Sequence, residues 1–180
     1  GASSAYPDAE ARSQGNGADS AGASAEAQLA AIQDRLTAKG GESMTMERAL
    51  RHIVSRITDE GLVIEVFDLP EVPLFIGGSD VPSPTLEAIA AILAEVLAIT
   101  TNPLSVNGHV RSYPITLIDN PAWGMSTARA HALRRAMEAR GLAPARVERV
   151  TGYGDRRSAT ADPTAARNNR LEVILLRTDR

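Results

Sequence analysis

Trp123-Gly124-Met125-Ser126-Thr127-Ala128-Arg129-Ala130 is the stretch at which an irregular loop becomes a helix. With a start near Ser126 and about 3.6 residues per turn, Ala128, Arg129, Ala132, Leu133, Ala136 and Met137 fall on one face, the apolar one expected to be buried. An arginine in the first turn of a buried face is costly unless it meets an anion, and its planar fork suits a carboxylate. Free backbone N–H groups at a helix start would add to that attraction. Trp123 is expected to plug the gap between loop and core and so fix where the helix begins. The helix is predicted to run to Arg140 and to stop at Gly141, which tolerates the left-handed conformation after a helix end.

Working outward, the preceding loop from Ser112 to Ala122 holds Pro114, Asp119, Asn120 and Pro121, and before it Leu104–Val110 reads as a strand. Ser83 followed by Pro84 is a helix-start signal, and the helix it opens, to about Ile99, carries Leu86, Ile89, Ala90, Leu93 and Leu97 as a stripe that Ile92 and Val96 widen. The prolines and glycines between Leu69 and Pro84 forbid regular structure, and Leu62–Phe67 ahead of them is β-branched and partly alternating. On the other side, Arg146–Thr151 and Leu171–Leu176 read as strands, separated by Gly152-Tyr153-Gly154 and a polar loop to Asn169. The order β-α-β-α-β-β predicts an α/β sandwich: a mixed sheet with right-handed crossovers and helices packed on one face. This domain is expected to span residues 62–180.

Residues 1–24 are rich in Ala, Gly and Ser and cannot bury enough apolar surface to offset chain entropy, so a disordered linker is expected there. In residues 25–61, Leu29, Ile32 and Leu36 recur at helical spacing up to Gly40-Gly41, and Met46, Leu50, Ile53, Val54 and Ile57 suggest a second helix from Thr45 to about Asp59. Such a pair would act as a tether, a docking element or a dimer seam, or pack on its own domain. The chain is 180 residues long, 43% hydrophobic and of net charge -3. One globular domain with extra segments fits that length. No basic stripe argues for nucleic acid, and the absence of cysteine excludes disulfides and thiolate metal sites without fixing the redox compartment. The longest apolar run, Ala88 to Ala94, falls far short of the roughly 18 residues a membrane span needs.

Four motifs in order carry a resemblance: Gly108-His109 at a strand end, Trp123-x-Met125-Ser126-x-x-Arg129-Ala130, Gly152-Tyr153-Gly154, and Asn168-Asn169-Arg170-Leu171-Glu172-Val173. Across about 110 residues the pattern resembles OmpA-like peptidoglycan-binding domains. Trp123 and the loop Pro73-Leu74-Phe75-x-x-Gly78-Ser79, with Pro82-Ser83-Pro84 after it, are most similar to those of the MotB family, the cell-wall-anchoring subunits of the flagellar stator. The resemblance implies a periplasmic, non-catalytic domain that grips the diaminopimelate of the peptidoglycan stem, and a homodimer. In the full-length parent it also implies an N-terminal inner-membrane helix, outside this sequence, and a membrane-embedded MotA-like partner. Arg129 sits where the family's arginine takes the stem carboxylate.

The family's aspartate in Gly-His-Thr-Asp, which holds the stem ammonium, is replaced: the sequence reads Gly108-His109-Val110-Arg111, and Arg111 would repel an ammonium. Asp119, beside Asn120, is the first candidate to supply the missing charge, with Asp155 and Asp162 behind it. Otherwise the site takes a different stem feature, or the domain is a dimerising scaffold. The family's Asn-Arg-Arg is also altered, to Asn168-Asn169-Arg170. The expected peptidoglycan-binding set is therefore Arg129, Asp119, Asn120, His109, Arg111 and Arg170. Against it stand plainer roles: an Arg129–Asp119 salt bridge, a structural His109, glycines 152 and 154 serving a turn, and Arg170 capping the sheet edge. Catalysis finds no support. No cysteine nucleophile exists, His52, His109 and His131 lack metal spacing, Ser126 follows no nucleophile-elbow sequence, and no cofactor is implied.

Overall fold

The computed structural model describes residues 15–179. Its elements are α1 (Gly15–Ala38), α2 (Met44–Leu50), β1 (Ile53–Ile57), β2 (Gly61–Phe67), α3 (Pro84–Leu97), β3 (Leu104–His109), α4 (Ala122–Ala139), β4 (Val147–Gly152) and β5 (Arg170–Leu176). The strands form one mixed sheet in the order β1-β2-β5-β3-β4. Only β3 and β4 pair in parallel, across the α4 crossover, and the other pairings are antiparallel. Both β2 and β3 run antiparallel to the β5 between them, so their C-terminal ends emerge at the same edge of the sheet.

Two-residue alternation sorts the sheet into two faces. Leu62, Ile64 and Val66 of β2, Leu104 and Val106 of β3, and Leu171, Val173 and Leu175 of β5 are buried in one core with Leu86, Ile89 and Leu93 of α3 and Leu133 and Met137 of α4. The expected sandwich with helices on one face is therefore the observed one. Ser83 caps α3, its hydroxyl accepting from the Leu86 amide at 3.2 Å, with Pro84 next. Gly141, at φ 102°, follows the last turn of α4.

Three expectations are corrected. The helix expected over Thr45–Asp59 ends at Leu50, and Ile53–Ile57 is instead strand β1. Leu50, Ile53, Val54 and Ile57 fit helical spacing, but Ile53, Ser55 and Ile57 also alternate, and the β-branched residues favour the strand. Pairing with β2 closes the hairpin through Thr58 and Gly61, whose amides and carbonyls bond reciprocally at 2.8 and 3.2 Å. Second, α1 begins at Gly15, ten residues ahead of the expected Ala25, and residues 1–14 of the expected linker lie outside the described residues. Third, α4 begins at Ala122 rather than Ser126. Asn120 Oδ1 accepts from the Ala122 amide at 2.9 Å and the Pro121 carbonyl accepts from Met125 at 2.8 Å, so the first turn forms a turn early. Ala122 takes the inward position, leaving Trp123 54% exposed rather than plugged into the core, with Arg156 over its ring.

Candidate functional site

Three strand ends converge at one edge of the sheet: Asp68 after β2, Val110-Arg111 after β3, and Asn169 before β5. Asn169 ties them together. Its Oδ1 accepts from the Arg111 amide at 2.8 Å, its Nδ2 donates to Asp68 Oδ2 at 3.0 Å, and its carbonyl accepts from the Asp68 amide at 3.0 Å. Asp68 Oδ1 in turn accepts from the Leu74 amide at 2.8 Å, which fixes the proline-rich loop after β2.

Arg129 reaches this edge from the buried face of α4 and is only 6% exposed, so the arginine on an apolar face expected from the spacing is real. Its place along the helix differs, because α4 starts a turn early and Arg129 lies beyond the first turn, where the amides are already bonded within the helix. The helix-start contribution expected for an anion therefore falls away. Its Nε–H donates to the Ser79 carbonyl at 2.9 Å and its guanidinium lies 4.8 Å over the Phe75 ring. Burial pulls its pKa down, Tyr113 and Asp68 oppose that, and Arg111 adds to it.

A cavity of about 250 Å³ opens here, lined by Asp68, Glu71, Phe75, Arg111, Arg129 and Asn169 among others. Asp68 is 8% exposed. Burial raises its pKa, while the bonds from Leu74 and Asn169 and the charge of Arg129 hold it down. No direct ion pair joins Asp68 to Arg129. Each is anchored by its own backbone contact, and the two opposite charges line the same cavity.

The remaining expected residues divide. Arg111 lines the cavity with Arg129, exposed at its mouth. His109 and Arg170 reach only a narrow seam behind it, shared with Asp68 and Arg129. Their main partners lie on the open sheet face: His109 Nε2 is 2.7 Å from Glu172 Oε1 and its ring stacks on Tyr153, while Arg170 pairs with Glu65 at 3.2 Å and donates to the Arg157 carbonyl at 2.6 Å. Asn120 caps the first turn of α4. Asp119 is exposed, does not line the cavity and makes no salt bridge to Arg129. Asp162 binds the amide and hydroxyl of Thr164 in a turn, and Asp155 also lies outside the cavity. Asp68 was missed, since nothing in a lone aspartate beside a proline loop signals that Asn169, 101 positions away, will hold it. No group of three or more metal-binding side chains occurs among the described residues.

A mixed sheet backed by helices on one face, with a buried arginine beneath the strand ends, defines the class: the chain belongs to the OmpA family, whose model matches residues 76–171. Motility protein B of Escherichia coli K12 is 32% identical over 139 residues, covering 75% of this chain and 45% of that protein. The chain thus spans somewhat less than half the length of this curated relative. Among solved structures, the periplasmic domain of Helicobacter pylori MotB matches with a TM-score of 0.59 at 16% identity over 73% of this chain and 83% of its own. The cell wall anchor of the T6SS from Pseudomonas aeruginosa matches with a TM-score of 0.58 at 21% identity, over 72% and 95%. At these identities both structures speak to the fold. No helix of the described residues is long and apolar enough to cross a membrane.

Proposed function

We propose that this chain is the periplasmic, non-catalytic part of a MotB-like stator protein and anchors the flagellar motor to the cell wall by binding the peptidoglycan stem through Arg129. Membership of the OmpA family and the likeness to Motility protein B support this reading. Arg129 carries it at the level of residues. A buried guanidinium with one hydrogen bond, made through Nε, keeps both terminal amino groups for a ligand at the cavity it lines. Such a fork in a low-dielectric setting takes a carboxylate bidentately. The parent protein would hold an inner-membrane helix beside a MotA-like partner, and two copies of this chain would form a homodimer.

The test is sedimentation of the purified chain with insoluble peptidoglycan. Wild type is expected in the pellet and Arg129→Ala in the supernatant. Arg111 favours one other reading, a dimerising scaffold module without wall affinity, because it puts a cation where an ammonium-binding acid is expected. A wild-type chain that stays wholly in the supernatant while sedimenting as a dimer by itself would replace the anchoring reading with that one.

A further inference from the structure

We infer that the open face of the sheet carries a second binding site, and that it takes an acidic saccharide, a sugar ring bearing a carboxylate or a phosphate. This site is separate from the cavity that Arg129 lines, and its ligand is independent of what Arg129 binds. A cavity of about 510 Å³ lies on the face opposite the helices, about twice the size of the one at the strand ends. Its volume falls in the range of small-ligand pockets, about 300–1,000 Å³. Strand register builds it. Arg56, Val63, Ile174, Ser105 and Arg149 form one row across the five strands, and Glu172, Asn107 and Thr151 form part of the next. Residues two apart in a strand share a face, so both rows lie on the open side.

Charge is shared unevenly along the cavity. Arg56 is taken up by Glu65 and Glu172, and Arg167 and Arg170 by Glu65. Arg149 and Arg157, at the β4 end, keep no carboxylate partner among the described residues: Arg149 Nε donates to Ser105 Oγ at 3.4 Å, and Arg157 lies 4.1 Å over the Tyr153 ring. That ring contact and the bond from Arg170 to the Arg157 carbonyl hold Arg157 in place, and Tyr153 stacks in turn on the buried His109. Two guanidiniums with terminal amino groups unspent suit an oxyanion. Asp59 and Glu60 line the opposite end, at the β1–β2 turn, and repel an anion from it, so the anionic group is directed to β4. The middle of the cavity fits the rest of a sugar. Asn107 accepts from Ser105 through Oδ1 at 3.5 Å, which leaves Nδ2 to donate to a ligand, and the Thr151 hydroxyl both donates and accepts. Each Glu172 oxygen, though paired with His109 or Arg56, has a further lone pair for a sugar hydroxyl. Val63 and Ile174 give the C–H face of the ring an apolar floor. A bare oxyanion would use only the arginines, and a neutral sugar only the middle.

NMR titration of the isotope-labelled full chain would follow the Asn107 side-chain amide and the Arg149 Nε–H. The probes are glucuronate, glucose 6-phosphate, inorganic phosphate and glucose. At least one of the two acidic sugars is expected to bind about tenfold more tightly than either phosphate or glucose, and the better of the two identifies the oxyanion. Replacing both arginines, Arg149→Gln with Arg157→Gln, should abolish acidic-sugar binding. Both side chains are exposed, so the fold tolerates the change. Arg129→Ala should bind the acidic sugars as wild type does. An acidic-saccharide site on this face is ruled out if neither acidic sugar moves these signals, if phosphate or glucose binds as tightly, or if the double variant keeps wild-type affinity. Loss of acidic-sugar binding in Arg129→Ala would move the ligand to the strand-end cavity and equally overturn the assignment. Failure of wild type to pellet with peptidoglycan bears on the anchoring reading alone.

Discussion

Glu65 and Glu172 face each other directly across β2 and β5, a like-charged pair that would push the strands apart if left alone. Arginines surround them on the open sheet face. Arg56 reaches Glu65 at 3.2 Å and Glu172 at 3.5 Å, and Arg167 and Arg170 reach Glu65 at 2.8 and 3.2 Å. His109 completes the set on Glu172, and its hydrogen bond is the largest reason the Glu172 pKa lies below its usual value near 4.5, with burial pulling the other way. A carboxyl whose pKa falls on folding stabilises the fold while ionised. The contribution is whole above the unfolded pKa and disappears as pH drops through the folded one. Thermal melts between pH 7 and pH 3 should therefore show a loss of stability below about pH 4.5 that is smaller in Glu172→Gln. If the substituted chain declines as steeply as wild type over that window, the His109–Glu172 bond does not have the energetic role given to it.

At the scale of elements, α4 lies so close to the sheet that two paired glycines, Gly108 and Gly152, are required beneath it. A Cβ on Gly108 would stand 2.0 Å from the Ser126 carbonyl oxygen, and one on Gly152 would stand 2.1 Å from Thr127 Oγ1. Ser126 fastens the same junction, its hydroxyl donating to the Trp123 carbonyl at 3.0 Å and accepting from the Gly154 amide at 2.9 Å. Gly108→Ala is expected to cost about 3 kcal/mol, at the upper end for overpacking, because backbone must move. Urea unfolding would measure it, and a loss within error of zero would mean that the helix shifts freely. This junction explains what was legible in the sequence. Gly108 and Gly152 stand out near strand ends, Ser126 and Arg129 as polar residues on the buried face of α4, and the Ser83-Pro84 start and Gly141 stop depend on neighbours in sequence. Two features were hidden because distant partners decide them. The β1 segment has apolar spacing compatible with either helix or strand until β2 pairs with it, and Asp68 becomes a site residue only through Asn169, Leu74 and Arg129.

For the whole molecule, the question is whether the segment before β1 is a detachable tether or part of the folded unit. Leu29, Ile32 and Leu36 of α1 are 1%, 2% and 3% exposed and belong to the same core as α3 and the inner face of the sheet. Gln33 Nε2 also donates to Ser55 Oγ of β1 at 2.9 Å, and Lys39, just after α1, donates to Glu95 of α3. Fully burying one such aliphatic side chain is worth about 1.5–3 kcal/mol, so three together are comparable with a large share of a typical domain's net stability of about 5–15 kcal/mol. A helix contributing that much cannot leave without exposing the core beneath it. Leu29→Ala should then lower the unfolding free energy by about 2–4 kcal/mol, the range for a buried leucine that leaves a cavity. Denaturation followed by circular dichroism and by the fluorescence of Trp123, which sits in α4 far along the chain, should give coincident transitions that both move to lower denaturant. A tether would behave otherwise: Leu29→Ala would leave the Trp123 transition at the wild-type midpoint while helical signal alone was lost, and that result would separate α1 from the fold it packs against.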